Sequence, residues 1–538
     1  MSNDSFTNVQ IETTLPKPWE EEQTFNDVLY DWMGRAPWLA ISFVAHGIIY
    51  FILAAIPWDK FSKGEEVILQ ANMIQPQEEI FEEPEEEIEE ELEEEIIEEP
   101  VIQDSEVVED EEVVEDPNDR PESPFNSDAF NDVIGIGGGA GGGGGKVGGR
   151  RAGRQKVGAG INKALLAGLE WLKDHQSDDG SWDPENFYLE CDKEPPYSTG
   201  EGNGAHEVGV TGLALLAFLG FGDTMNEGQY KDVIRRGIGW LRKQQSSETG
   251  QIGTQSSKEW IYNHAIATLA LAEAQYGAPN PLLKKSTQKA VDFIARARAE
   301  YGVWRYDVPS LGGADSSVTG WMVFALAAAA DAKVRIDDSS FRDSLTFFDE
   351  ITDGYGNTGY TQLGEGSSRP RHLVDVFPAQ ETRALTAVGV LCRVFIANSA
   401  KLSLEEVSGP EPNKSDLIEL GVERMMEVLP EWPKELLPEP GNLELEGEGN
   451  IDFYYWYYGS YALYQLSEEY PKAWRDWEKA LEGAILPGQR DGNSPPCFEG
   501  SWDPLDPWGE EGGRVYSTAL MVLCLEVYFR YGKVLGSR

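Results

Sequence analysis

The chain has 538 residues, with 44 basic against 94 acidic side chains and a formal net charge of −50. That length allows one large domain or two or three ordinary ones, and a surface of that sign repels phosphates, so no nucleic-acid partner is expected. Four cysteines exclude a disulfide-built scaffold or a cysteine-rich zinc module.

After an N-terminal arm over 1–35, residues 36–58 form an apolar and aromatic run free of Asp, Glu, Lys and Arg, in which Ser42, His46 and Gly47 are the departures. A helix needs about 20 such residues to cross a bilayer, and Trp38 and Trp58 stand where interfacial tryptophans belong. The run predicts a single-pass transmembrane helix with everything after it on one side. A short arm left in the cytoplasm places the C-terminal region outside it, on the periplasmic side if the cell has an envelope. Ser42 and His46, four residues apart, share a helix face, and polar groups at membrane depth face a partner helix or a proton path. A membrane protein partner is therefore expected at this pair. Together with the charged, Pro-containing segment that follows, the Ser-x-x-x-His pattern resembles the anchor of TonB-type energy transducers, which implies a proton-driven complex as that partner.

Residues 59–133 read as an acidic tether. Positions 78–119 hold 24 Asp/Glu and no Lys or Arg, with Pro84, Pro100 and Pro117 spaced through them. Such a segment repels itself and buries little, so disorder is predicted. A Gly-rich basic linker spans 134–160: 134–149 contain 11 glycines, and Arg150, Arg151, Arg154 and Lys156 follow. No Gly-Lys-Ser/Thr follows the glycines in the register of a phosphate loop.

From 161 to 538 the pattern repeats. Six helical pairs are predicted, each a more polar helix, a Gly/aromatic turn and a helix apolar nearly all round. The apolar partners are read at about 208–221, 262–276, 317–332, 382–397, 453–466 and 516–531. Thr211, His264, Thr319, Thr386, Gly459 and Thr518 mark equivalent positions in them, 53, 55, 67, 73 and 59 residues apart, consistent with one hairpin per unit and loops of variable length. A helix without a polar face must be covered on most sides. Inner apolar helices ringed by outer amphipathic ones satisfy both patterns.

The turn Gln176-Ser177-Asp178-Asp179-Gly180-Ser181-Trp182, its looser copies, and the ending Gly512-Gly513-Arg514-Val515-Tyr516-Ser517-Thr518 resemble the repeats of squalene cyclases and protein prenyltransferase beta subunits. The resemblance covers about 70% of the chain and implies an all-α (α/α)6 toroid; it is nearest to the membrane-anchored members without an evident catalytic motif. In cyclases it implies a strong acid from an Asp-x-Asp-Asp type motif. Here Asp315-Ser316-Ser317 carries a single carboxyl, which reads first as a helix cap. In prenyltransferases the resemblance implies zinc held by Asp, Cys and His, yet Ser317 stands where the thiolate would. His206, His264 and His372, 58 and 108 residues apart, offer no local ligand spacing. No metal and no cofactor are expected; thioester, serine-elbow and dinucleotide motifs are missing from the sequence as well. Cys392 and Cys524 read as buried small hydrophobes.

The binding candidates are aromatic. Tyr454, Tyr455, Trp456, Tyr457 and Tyr458 open the fifth inner helix, and Tyr262, His264, Asp315, Trp321 and Tyr516 occupy corresponding regions of other units. If inner-helix starts converge, these residues form a cavity wall or rim able to take a protein, peptide or lipid. The leading expectation is a membrane-tethered binding ring; the alternative is an isoprenoid cyclase, isomerase or prenyltransferase-like enzyme. Finally, Cys191 and Cys497 lie in loops of the first and sixth units. Ring closure would bring those loops to one end of the toroid and make the two cysteines a candidate disulfide.

Overall fold

A computed structural model describes residues 150–151, 153–154, 157–299, 302–308, 313–409, 416–432 and 451–530, all within the compact unit Val113–Arg538. The predicted anchor with Ser42 and His46, the predicted acidic tether and the glycine tract lie outside these residues. Among the described residues no helix is long and apolar enough to cross a membrane.

Twelve principal helices alternate between two layers. The outer ones are α1 (Ala159–Asp174), α3 (Lys231–Lys243), α5 (Pro281–Ala297), α7 (Ser339–Ile351), α9 (Leu417–Met426) and α11 (Pro471–Gly488). The inner ones are α2 (Glu207–Gly220), α4 (Trp260–Gly277), α6 (Ser316–Asp331), α8 (Ala384–Ala400), α10 (Phe453–Gln465) and α12 (Gly509–Leu525). Short α-helices Leu404–Val407 and Val527–Arg530 and 3-10 helices Phe187–Glu190, Gly204–His206 and Arg371–Leu373 lie between or after them, and the described residues contain isolated β-bridges but no strand. Outer helices bury one stripe, as in α3, where Val233, Ile234, Gly237, Ile238, Trp240 and Leu241 face inward. Inner helices are covered almost throughout; every residue of α2 from Gly209 to Gly220 is buried.

Each inner helix packs on the next, and α12 packs back on α2, so the six close into a ring. Outer helix α11 likewise meets α1. An open superhelix would leave both pairs apart.

The Gly/aromatic turns stitch the ring. The Gln176 amide donates to Gly180 O in its own turn (3.0 Å) and to Val233 O on the next outer helix (3.0 Å). Gln245 repeats this with Gly250 O and Ser286 O. Gln489 repeats it with Gly500 O (2.9 Å) and Ala164 O (2.8 Å), so the sixth turn binds the first helix. Residues at the Trp position donate their backbone N–H to the inner helix: Trp182 to Thr211 Oγ1, Ile252 to His264 Nδ1, Thr358 to Thr386 Oγ1 and Trp502 to Thr518 Oγ1. Four of the six repeat markers read from the sequence are thus acceptors for a loop donor that would otherwise be buried without a partner; Thr319 and Gly459 do not take this role. Gly500 shows why the turn needs glycine: its φ is 94°, and a Cβ there would lie 2.3 Å from Ala167 O.

Because every hairpin reverses the chain, the inner helices run in one direction and their ends gather at opposite faces. The C-terminal face is plugged by charge. Arg530 reaches Glu273 (2.8 Å), Glu526 (3.3 Å) and Leu216 O (2.6 Å), while Arg150 reaches Glu273 (3.3 Å) and Leu219 O (2.7 Å). Guanidinium groups at helix C-termini complement the macrodipole and the free carbonyls. Arg154 lies over Phe221, 3.7 Å from the ring centroid. Arg150 and Arg154 therefore belong to the ring rather than to the linker predicted over 134–160. Burial of the Arg150 head against Glu273 and a helix end outweighs what the basic composition suggested.

Candidate active site

The N-terminal face collects the polar groups. Asp315 caps α6, its Oδ1 accepting the Val318 N–H at 2.9 Å, which is the cap role its position predicts. The residue is fully buried, and Oδ2 has no hydrogen-bond partner among the described residues. Burial holds this carboxyl above its ordinary range against the opposing pull of the Tyr360 phenol, the backbone N–H groups and Arg305.

Tyrosines surround it. The Tyr306 and Tyr360 hydroxyls are hydrogen-bonded, 2.5 Å apart, and the Tyr262 ring lies 6.2 Å from that of Tyr306. Ser317 Oγ, two residues beyond Asp315, pairs with Tyr454 Oη at 2.9 Å. Trp321 closes the inner side, 6.4 Å from Tyr454. Burial and then the Asp315 charge push Tyr306 up to about 12, and raise Tyr262 further above its usual value for the same reasons. These phenols stay neutral near pH 7. Tyr262, Tyr306, Ser317, Tyr454 and Tyr516 are half-buried and open to solvent, unlike most of the ring interior.

A carboxyl pair, Asp452 and Asp506, lies across the same face. Asp452 caps α10 through Tyr455 N–H (2.9 Å), and its other oxygen accepts from Arg369 and Thr382, each at 2.8 Å. Asp506 accepts from Tyr516 Oη at 3.0 Å. Burial, and secondarily the Asp452 charge, push Asp506 up to about 8. Asp452 is paired with the Arg369 guanidinium, whereas burial favours the protonated form of Asp506.

The aromatic run of α10 does not form a rim. Tyr455 faces outward, donating to Met425 O and Val428 O and meeting Trp477 of α11 edge-on at 5.3 Å. Trp456 packs on Phe453 and Trp432. Tyr457 and Tyr458 point into the ring against Trp321, at 5.8 and 5.5 Å. Of these five consecutive aromatics Tyr454 alone is half-buried, because a helix turns each successive side chain by about 100°. His264 is likewise no rim residue. Its Nδ1 accepts from Ile252 and its Nε2 donates to Ala290 O at 3.2 Å, and burial lowers it to about 3. His206 pairs with Glu511 and His372 with Glu510.

Three groups meet at the seam between the first and sixth units. Cys191 and Cys497 are free thiols, both buried, and with His175 their ligand atoms all lie within 4.8 Å of one another. The candidate disulfide partners are therefore adjacent and unbonded. Against the expectation that the chain offers no metal-ligating cluster, this one has ligand-type residues. His175 carried no sequence signal beyond its place one residue before Gln176, because Cys497 lies 322 residues away in the chain and Cys191 stands in an irregular loop of the first unit.

No family model matches the chain. It is similar to a squalene–hopene cyclase of Bradyrhizobium diazoefficiens, 26% identical over 184 residues, covering 32% of this chain and 27% of that enzyme. The match thus spans just over a quarter of that relative's length. Among solved structures it is similar to a type II terpene cyclase from Scytonema in complex with geranylgeranyl dihydroxybenzoate (15% identity, TM-score 0.38, 69% of this chain and 97% of that one). It is also similar to an α-1,6-mannanase of Salegentibacter (8%, TM-score 0.45, 68% and 98%) and to a D-mannose isomerase (12%, TM-score 0.42, 69% and 99%).

Proposed function

We propose that the ring is an acid–base enzyme acting at its N-terminal face on an oxygen-bearing isoprenoid, with Asp315 as proton donor. The observation that carries this is the Asp315 carboxyl, tied to the backbone through one oxygen while the other is buried beside the Tyr360 phenol without a hydrogen bond of good geometry. The tyrosine and tryptophan faces around it suit an apolar chain and an electron-poor intermediate. Burial makes Asp315 a weaker acid than an ordinary aspartate, and one carboxyl lacks the reinforcement of the cyclase Asp-x-Asp-Asp cluster. Such a donor fits protonation of an epoxide or ether oxygen, which demands far less acidity than an alkene. The Ser317–Tyr454 hydroxyl pair would hold the substrate oxygen, and the Tyr306–Tyr360 pair would return the proton. Likeness to a squalene–hopene cyclase supports the substrate class.

Incubation of full-length protein with polyprenyl epoxides and with the parent polyprenes tests this. Turnover of the epoxide that falls at least ~100-fold in Asp315→Asn, with the fold retained, is the expected result; an unchanged rate overturns it.

A second reading, a binding ring without chemistry, is favoured by the cap bond, which gives Asp315 a structural task. Its ligand would be a protein, peptide or lipid held at Tyr262, Tyr454 and Tyr516, and binding without turnover in the same assay would support it. In either case the anchor over 36–58 would hold the ring outside the cytoplasm, with Ser42 and His46 meeting a membrane partner of a TonB-like complex. Protease protection of a C-terminal tag decides the side, and loss of copurifying protein in His46→Ala tests the partner.

A further inference from the structure

Ring closure assembles a group of side chains that the mouth chemistry does not use. His175 ends α1, Cys191 follows a short turn of the first unit, and Cys497 comes from the sixth. We propose that His175, Cys191 and Cys497 bind one Zn(II) ion that clips the first and last helical pairs together. The proposal does not depend on the reaction assigned to Asp315.

Geometry supports it first. A tetrahedral ion with Zn–S near 2.3 Å and Zn–N near 2.0 Å has an S···N edge of about 3.6 Å. His175 Nε2 stands 3.5 Å from Cys497 Sγ, and all three ligand atoms fall within 4.8 Å of one another. Closing on an ion therefore needs side-chain adjustments, with no movement of helices.

The imidazole is also presented correctly. Its Nδ1 lies 2.7 Å from Trp171 O; a carbonyl can only accept, so Nδ1 carries the proton and Nε2 turns its lone pair toward the thiols. Backbone hydrogen bonding of the non-ligating nitrogen is the usual outer-shell device for a metal-binding histidine. The ring is clamped by stacking on Trp171, with centroids 4.0 Å apart, and by Phe187 at 5.9 Å. Cys497 is fixed in turn: the Trp171 indole donates to its carbonyl at 2.8 Å, and the Ser198 backbone N–H donates to its sulfur at 3.3 Å. Ser198 Oγ, also 3.3 Å from that sulfur, or a water would occupy the fourth position.

Charge and ligand type choose the ion. Two thiolates and a divalent cation sum to zero, the balance a buried site requires, and two sulfurs with one imidazole are ligands of the zinc class. Binding releases the two thiol protons to solvent and forms two Zn–S bonds and one Zn–N bond without any redox step.

Full-length protein, purified under reducing conditions without a metal-affinity tag, is analysed for metal and then titrated with Zn(II) or Cd(II). One zinc per chain is expected, or, in protein stripped of metal, a Cd-thiolate absorption band that saturates at one equivalent. Chelation should lower the thermal midpoint of the wild type. Cys191→Ser, at the edge of the cluster, should lose the band while keeping its helical circular dichroism. His175→Gln should weaken binding at least ~10-fold. Reduced, folded wild-type protein that takes up neither ion overturns the proposal. So does a Cys191–Cys497 bond, seen as a mass lower by two hydrogens, that re-forms in the presence of zinc.

Discussion

Gly500→Ala is expected to open the ring where its ends meet. The residue sits at φ 94°, a conformation that costs a residue with a Cβ about 1–2 kcal/mol. Its new Cβ would stand 2.3 Å from Ala167 O and 2.8 Å from the carbonyl carbon. Those atoms are backbone of α1 and cannot yield unless the helix moves, which adds about 1–3 kcal/mol. The sum is a loss of about 2–5 kcal/mol. Gly483→Ala provides the control: it is exposed on α11 with no atom within 4 Å of the added Cβ, and alanine there should gain about 0.5–1 kcal/mol. Gly180→Ala, with φ 101° and Arg236 O 2.5 Å away, measures the same turn inside the chain's first half. Urea denaturation of the three full-length variants, followed by tryptophan fluorescence, should rank Gly500→Ala with Gly180→Ala and well below Gly483→Ala. In an open superhelix Gly500 faces no α1. A Gly500→Ala midpoint equal to that of Gly483→Ala would therefore refute the closed ring.

Further tests address charge and packing. Asp506 rises from 3.8 to about 8 on burial, so the folded protein holds a proton that the unfolded chain releases between those values. Stability should fall as pH rises through that window, by on the order of 5 kcal/mol, and level off above it; Asp506→Asn should flatten the profile in pH-dependent denaturation and be the more stable form at pH 9, and an unchanged profile would contradict the assignment. Arg530→Met removes the guanidinium from Glu526 and leaves Glu273 to Arg150 at the plugged face, with an expected cost of about 3–5 kcal/mol that partly recovers in acid; a neutral effect in calorimetry would show the plug to be dispensable. Tyr455→Ala should lower the melting temperature by removing a buried ring and two hydrogen bonds to α9 and its C-terminal end while binding at the mouth persists in the folded protein. Tyr454→Ala should do the reverse, and ligand titration beside thermal melts separates the two.

Much of the architecture is legible in the residues. Hairpins with one amphipathic and one wholly apolar helix leave few arrangements other than inner and outer layers, and the glutamines, glycines and tryptophans of the turns announce the repeat. Asp315 as a cap follows from an acid placed just before an apolar helix. The facing of the inner helices does not follow: an element apolar all round carries no amphipathic signal, so Tyr455 and Trp456 on the outer side look the same in sequence as Tyr457 and Tyr458 on the inner side. Nor does the role of His264, since an imidazole that accepts one loop N–H and donates to one helix carbonyl is indistinguishable from a rim histidine until the loop is placed. The seam is the plainest case. His175 and Cys497, 322 residues apart, become neighbours when α12 returns to α2 and α11 to α1. Local propensity determines each hairpin; closure, and with it the cluster at the seam, is decided by the packing of all six.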